Sequence, residues 1–159
     1  MIRALDHLDL VVTSLERSQP FYQDLLGLTR ASEIVGERGE RVVYLSRPGE
    51  EPAGNFSLGL REKQSDAHGV PFDRYAVGVH HVAFEVESRA VVDERAEWLR
   101  ARGVEIESGP EEYGYRPGYY AVFFYDPDGI KLEILHRPRE RDLVRRVEEL
   151  DERLRELEA

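Results

Sequence analysis

The sequence predicts an α+β fold: two β-α-β-β-β modules paired about a pseudo-two-fold axis, followed by a C-terminal helix. Two observations carry this reading. The first is an internal repeat. "HLDLVVTSLERS" begins at His7 and "HVAFEVESRAVV" at His81, an offset of 74, and the serines Ser14 and Ser88 keep that offset. A repeat of this length marks duplication of a whole module. The second is that each copy continues in the same order, with a helical apolar stripe, a glycine stop and then alternating apolar runs of strand length.

The first copy opens on a strand from His7, with Ser14 placed to cap a helix. In "LERSQPFYQDLLGL" the apolar residues Phe21, Leu25 and Leu28 share a stripe, and Gly27 is the stop. Pro20 belongs in the first turn of a helix, so the main helix is expected to start near Ser18. "RVVYLSR" (41–47) and "NFSLGLRE" (55–62) read as strands. The second copy places Val91, Val92, Ala96 and Leu99 on a helix that stops at Gly103. "YYAVFFY" (119–125) and "IKLEILH" (130–136) follow as strands joined by the hairpin signal "DPDG". Module one is thus expected over 1–62, a Gly- and Pro-containing linker over 63–78 and module two over 79–138, all within a single domain over 1–138. The tail 139–159 carries Leu143, Val147, Leu150, Leu154 and Leu157 in a heptad pattern, expected as a helix that lies on its own domain or adds to a homodimer contact.

The chain has 159 residues, a net charge of −10 and no cysteine. That excludes disulfides and thiolate metal sites and makes nucleic acid and anionic membranes poor partners. No apolar run approaches the roughly 20 residues needed to span a bilayer. A cytoplasmic protein working on a small molecule is the expectation.

Candidate chemistry lies where the modules match. Strand parity separates His80 from His81. His81 takes the repeat's special position, whereas His80, with Val82, Phe84 and Val86, points to the helix-packed core. An offset of 76 on the closing strands pairs Ser57 with Glu133. Two histidines and a carboxylate, His7, His81 and Glu133, form a set suited to one divalent metal (Fe, Mn, Zn, Ni or Co) with positions left open for substrate. Taken singly, a strand histidine is more often a core or surface residue, and a lone glutamate is more often solvated.

These residues also carry a family likeness. "HLDLVVTSLERSQPFYQDLLGL", "GVHHVAFEV" and "FFYDPDGIKLEIL" together resemble the vicinal oxygen chelate superfamily, also called the glyoxalase/bleomycin resistance/dioxygenase superfamily, over roughly residues 5–136. The resemblance implies a metal on the pseudo-two-fold axis, the ligands His7, His81 and Glu133, and a metal that grips substrate through adjacent oxygens. Members include glyoxalase I, extradiol dioxygenases, methylmalonyl-CoA epimerase, fosfomycin-inactivating enzymes and non-catalytic drug-binding proteins. Glyoxalase I and the epimerase carry Glu or Gln at the place matched here to Ser57. A serine is too weak a base for proton shuttling, which gives extradiol-type oxygenase chemistry a slight preference over a glyoxalase-like lyase, a thiol transferase or a binding protein. Tyr119 and Tyr120, with Ser57, are the catalytic candidates, although strand register leaves the face of each tyrosine open. Within the Gly-rich loop "EEYGYRPGYY", Arg116 and Tyr115 are candidates for substrate binding, and a plain surface arginine is the competing reading for Arg116. His68 in the linker reads as a solvated loop histidine.

Overall fold

In the computed structural model the described residues are 4–49, 56–67, 73, 75–139, 153 and 155. They form two four-stranded sheets, each with one helix, in the duplicated order that the repeat predicts. The chain divides into two compact units, 1–81 with 125–131, and 82–124 with 132–159.

In the first sheet β1 (His7–Val12) lies parallel to β4 (Ser57–Glu62), which pairs antiparallel with β3 (Arg41–Ser46), and β3 with β2 (Thr29–Val35) at the edge. Alternation sorts the side chains. Leu10, Val12, Leu45, Val43, Leu58 and Leu60 are buried on one face, and helix α1 (Leu15–Leu26) presents buried Leu15, Tyr22 and Leu25. The other face carries His7, Asp9, Tyr44, Ser57, Gly59 and Arg61.

Helix α1 starts earlier than the position of Pro20 predicts. Ser14 is the N-cap, its hydroxyl accepting from Arg17 N–H, and Pro20 sits inside the helix. Ser18 does not cap the helix but lies on its buried face, where its hydroxyl reaches Asp128. The helix ends at Gly27, whose φ of 65° is left-handed and favours glycine.

The second sheet repeats the plan. β5 (Val82–Glu85) lies parallel to β8 (Lys131–His136), β7 (Tyr120–Tyr125) is next to β8, and β6 (Ile106–Glu112) forms the edge. Helix α2 (Arg89–Ala101) is capped by Ser88, which accepts from Val91 N–H, and buries Val92, Ala96 and Leu99. β5 is shorter than expected and starts after the histidine pair. The turn after β7 packs within the first unit: Tyr22 Oη donates to Asp126 Oδ2 at 2.7 Å, and Arg17 Nη2 to Asp128 Oδ1 at 2.7 Å. The heptad positions of the tail and His68 lie outside the described residues.

Candidate functional site

The polar face of the first sheet is built from β1 and β4. His7 is exposed, and its Nδ1 lies 2.8 Å from Asp6 Oδ2. This bond to Asp6, helped by the charge of Asp9, raises the imidazole pKa and leaves Nε2 as the nitrogen presented to a ligand. Two residues on, Asp9 Oδ2 accepts from Arg61 Nη2 at 3.1 Å. Arg61 also pairs with the buried Glu40, whose carboxyl is held below its usual range by its own backbone N–H and by Arg61. Asp9 Oδ1 is buried and has no hydrogen-bond partner among the described residues.

Neither His80 nor His81 lies in β5; both precede it. His80 is exposed and His81 half-buried, so the expectation that His80 packs into the core is corrected. Strand parity does not apply to residues that the strand does not include. The two rings touch instead, with Nδ1 to Nδ1 at 2.7 Å. One ring therefore donates to the other, so His80 engages His81 instead of the core.

On the second sheet Glu133 is 1% exposed, and its Oε1 accepts from Tyr119 Oη at 2.6 Å. Burial, with the neighbouring carboxylate, pushes the Tyr119 hydroxyl far above its ordinary range, so it stays a neutral donor. Around this pair Ala121, Phe123 and Leu135 form an apolar patch flanked by Tyr113 and Tyr119. The Tyr113 and Tyr115 rings stack at 5.6 Å, and Tyr115 meets the edge of Tyr119 at 5.4 Å. Tyr120 is turned the other way: its hydroxyl donates to Asp93 of α2 at 2.7 Å, and Arg89 lies 5.0 Å over its ring. Tyr119, not Tyr120, is therefore the tyrosine on the Glu133 face, which corrects Tyr120 as a catalytic candidate. Tyr119 precedes β7, and the hydrogen bonds to Glu133 and Asp93 decide which tyrosine is which. Arg116 and Tyr115 are both exposed on the loop between β6 and β7.

The pairing also corrects the match made for Ser57. Both parallel pairs join residues 50 apart, His7 with Ser57 and Ala83 with Glu133. With His7 matched to His81, the counterpart of Glu133 is Gly59, and that of Ser57 is Lys131. The loops before the closing strands had shifted the sequence count by two. Ser57 is buried, with its N–H donated to the Asp6 carbonyl at 3.1 Å. In module two the carboxylate stands on β8 opposite Ala83; in module one it stands on β1, as Asp9, opposite Gly59.

Among the described residues no group of three His, Asp or Glu side chains is already gathered to hold a metal ion. The donor chemistry nevertheless suits a divalent cation. His7 and His81 each have Nδ1 engaged by a neighbour, Glu133 is a buried carboxylate held by a hydroxyl, and Asp9 Oδ1 is an orphaned buried acceptor.

Residues 4–134 match the family described as the Glyoxalase/Bleomycin resistance protein/Dioxygenase superfamily. Mouse mitochondrial methylmalonyl-CoA epimerase is 32% identical over 139 residues, 82% of this chain and 71% of that protein. YqjT of Bacillus subtilis is 38% identical over 65 residues, 40% of this chain, so the chain spans about half (51%) of that relative's length. Among solved structures, the glyoxylase/bleomycin resistance protein/dioxygenase domain from Frankia sp. EAN1pec is similar at a TM-score of 0.72 and 25% identity, covering 87% of this chain and all (100%) of that one. A variant of the fosfomycin resistance protein FosX from Listeria monocytogenes, complexed with Mn(II) and a dihydroxypropylphosphonic acid, is similar at 0.61 and 25%, covering 90% and 99%. No described helix is long and apolar enough to cross a membrane. By this match across most of its length, the chain belongs to the Glyoxalase/Bleomycin resistance protein/Dioxygenase superfamily.

Proposed function

We infer that the chain is a divalent-metal enzyme, with His7, His81 and Glu133 as ligands, acting on a small substrate that offers two adjacent oxygens. The observation that carries this is Glu133. It is a buried carboxylate, held by the Tyr119 hydroxyl, on an aromatic face at the end of the second repeat. A metal would add a cationic partner to the hydrogen bond that this buried carboxylate already accepts.

Of the reactions open to this chemistry, we place proton transfer at the carbon beside a chelated carbonyl ahead of ring cleavage. The preference for an extradiol oxygenase rested on the absence of a carboxylate base opposite Glu133, and Gly59 at that position keeps the absence. Tyr119, the tyrosine offered as an acid, is hydrogen-bonded to Glu133 with its hydroxyl pKa raised. What supports proton transfer is the named enzyme among the relatives above, the mouse epimerase. When bound, the metal supplies Lewis acidity at the substrate oxygens. Tyr119 fixes the Glu133 carboxylate, Tyr113, Tyr115 and Phe123 give the substrate a dry wall, and Arg116 offers a counter-charge to a substrate carboxylate or phosphate. That aromatic wall is also what favours the second reading, ring cleavage of a catechol. A homodimer working in the cytoplasm belongs to the same proposal, and light scattering tests the dimer.

The deciding experiment begins with metal analysis of protein purified without a histidine tag. The Mn, Co, Ni, Zn and Fe(II) forms then meet hemithioacetals, 2-oxo compounds and branched malonyl thioesters in deuterated water. Exchange of the carbon-bound proton, read by NMR, is expected from a non-iron form. Oxygen uptake with catechols by the Fe(II) form alone selects the second reading. No bound metal and no turnover in either assay overturns both.

A further inference from the structure

We propose that Asp9 supplies the oxygen ligand that module one would otherwise send from β4, so that the site's second carboxylate has been transposed across the strand pair. This rests on the metal reading above. By the common pairing register, the position in module one that answers to Glu133 is Gly59, which has no side chain to offer. The space is not empty. A Cβ built on residue 59 would overlap Asp9 Oδ1 and stand 2.9 Å from Asp9 Cγ and 3.0 Å from Tyr44 Cε1. Asp9 is the direct β1 partner of Gly59, and its carboxylate lies over the glycine, in the volume where a side chain from β4 would begin. In the second module the arrangement is reversed, with Glu133 on the closing strand facing the small Ala83. Each strand pair thus carries one carboxylate and one small residue, on opposite strands.

The Asp9 carboxylate is also divided in its bonding. Arg61 takes Oδ2 at 3.1 Å, and Glu40 anchors that guanidinium from its other side. Oδ1 is left buried and without a hydrogen-bond partner among the described residues. An orphaned buried carboxylate oxygen keeps an uncompensated desolvation cost, and a cation beside His7 removes that cost. His7 lies two residues away on the same face, and the charge of Asp9 is felt at its ring. A glycine at 59 is what makes room: any larger residue there displaces Asp9.

The test uses the full-length protein and Mn(II), with affinity read by calorimetry and the number of exchangeable inner-sphere waters by water-proton relaxation. Asp9→Ala and the shape-preserving Asp9→Asn are expected to weaken Mn(II) binding about 10–100-fold and to add one exchangeable water. Gly59→Glu alone is expected to destabilise the fold through the overlap with Asp9. Asp9→Ala combined with Gly59→Glu is expected to recover most of the affinity and return the water count to that of the parent, because the carboxylate is restored from the other strand. An unchanged affinity and water count in both Asp9 variants, while His81→Ala loses Mn(II), overturns the role of Asp9 and leaves the metal reading standing. Weakening without a gained water and without rescue by the double variant shows a structural role only and also overturns it. Mn(II) binding that survives His81→Ala overturns both readings.

Discussion

At the scale of single residues, the histidine pair separates the roles most sharply. His81→Ala is expected to strip metal from the purified protein, because a ligand is lost. His80→Ala removes the ring that engages His81 Nδ1, so metal affinity is expected to fall about 10–100-fold, the size seen when a ligand loses its orienting partner. Since His80 is exposed, its loss is expected to leave stability within about 0.5 kcal/mol of the parent. Metal titration beside thermal melting of the two variants checks both statements, and a large stability loss in His80→Ala contradicts this assignment. The tyrosines form a second pair. Tyr119→Phe removes the hydroxyl donated to a fully buried carboxylate and is expected to cost about 1–3 kcal/mol and to weaken metal binding. Tyr120→Phe breaks a bond to an aspartate on the helix side and is expected to leave metal affinity unchanged. Equal metal affinities in the two variants contradict this division of faces.

At the scale of elements, helix α1 and the turn after β7 hold one another. Asp126 accepts from Tyr22 Oη and from the backbone N–H of Asp128 and Ile130, so one carboxylate shapes the turn and anchors it to the helix. Burial raises the Asp126 pKa even though the Tyr22 hydroxyl and the two backbone N–H groups oppose the shift. Tyr22→Phe keeps the packing and removes the donor, with an expected loss of about 1–3 kcal/mol in denaturant unfolding. The end of β5 supplies a pH-dependent term. Arg139 donates to Glu85 at 2.9 Å, and with Arg137 it holds the Glu85 carboxyl below its ordinary 4.5. A lowered pKa means that the folded state binds its proton later than the unfolded chain. This contribution is whole above about pH 4.5 and disappears as pH falls through the lowered value. Glu85→Gln is therefore expected to flatten the acid side of the stability curve below that pH and to leave a smaller difference between variant and parent there than at pH 7. A curve parallel to the parent's across the acid range contradicts it.

For the whole molecule, metal binding and folding are one equilibrium, because the proposed ligands come from β1, from the segment before β5 and from β8, and the unfolded chain does not present them together. Metal at 100 times its dissociation constant is expected to add about 2.7 kcal/mol of stability. For a chain of 159 residues that raises the melting temperature by about 5–11 °C. Thermal melts with EDTA and with rising Mn(II) measure this, and His81→Ala is expected to abolish the shift. A melting temperature indifferent to metal in the parent protein overturns the proposed ligand set.

The repeat spoke plainly in the sequence because duplication leaves a fixed offset, and a 74-residue separation needs no coordinates to be seen. Alternation likewise made β3, β4, β7 and β8 legible, and the serine caps of both helices were readable because a cap is a local bond. Three matters had to wait for the tertiary structure, each for a reason of pairing or reach. Gly59 replaced Ser57 as the counterpart of Glu133 because register is set by hydrogen bonding between strands distant in sequence, and loop lengths hide it. Tyr119 and Tyr120 are neighbours at the start of β7, and only the contacts of Glu133 and Asp93 decided which way each turned. Asp9 shares the strand face of His7 by parity but carried no role in the sequence reading, since nothing local marks an aspartate in a strand as a ligand. Its standing comes from a glycine 50 residues away that leaves room for its carboxylate, and from an arginine that holds only one of its two oxygens.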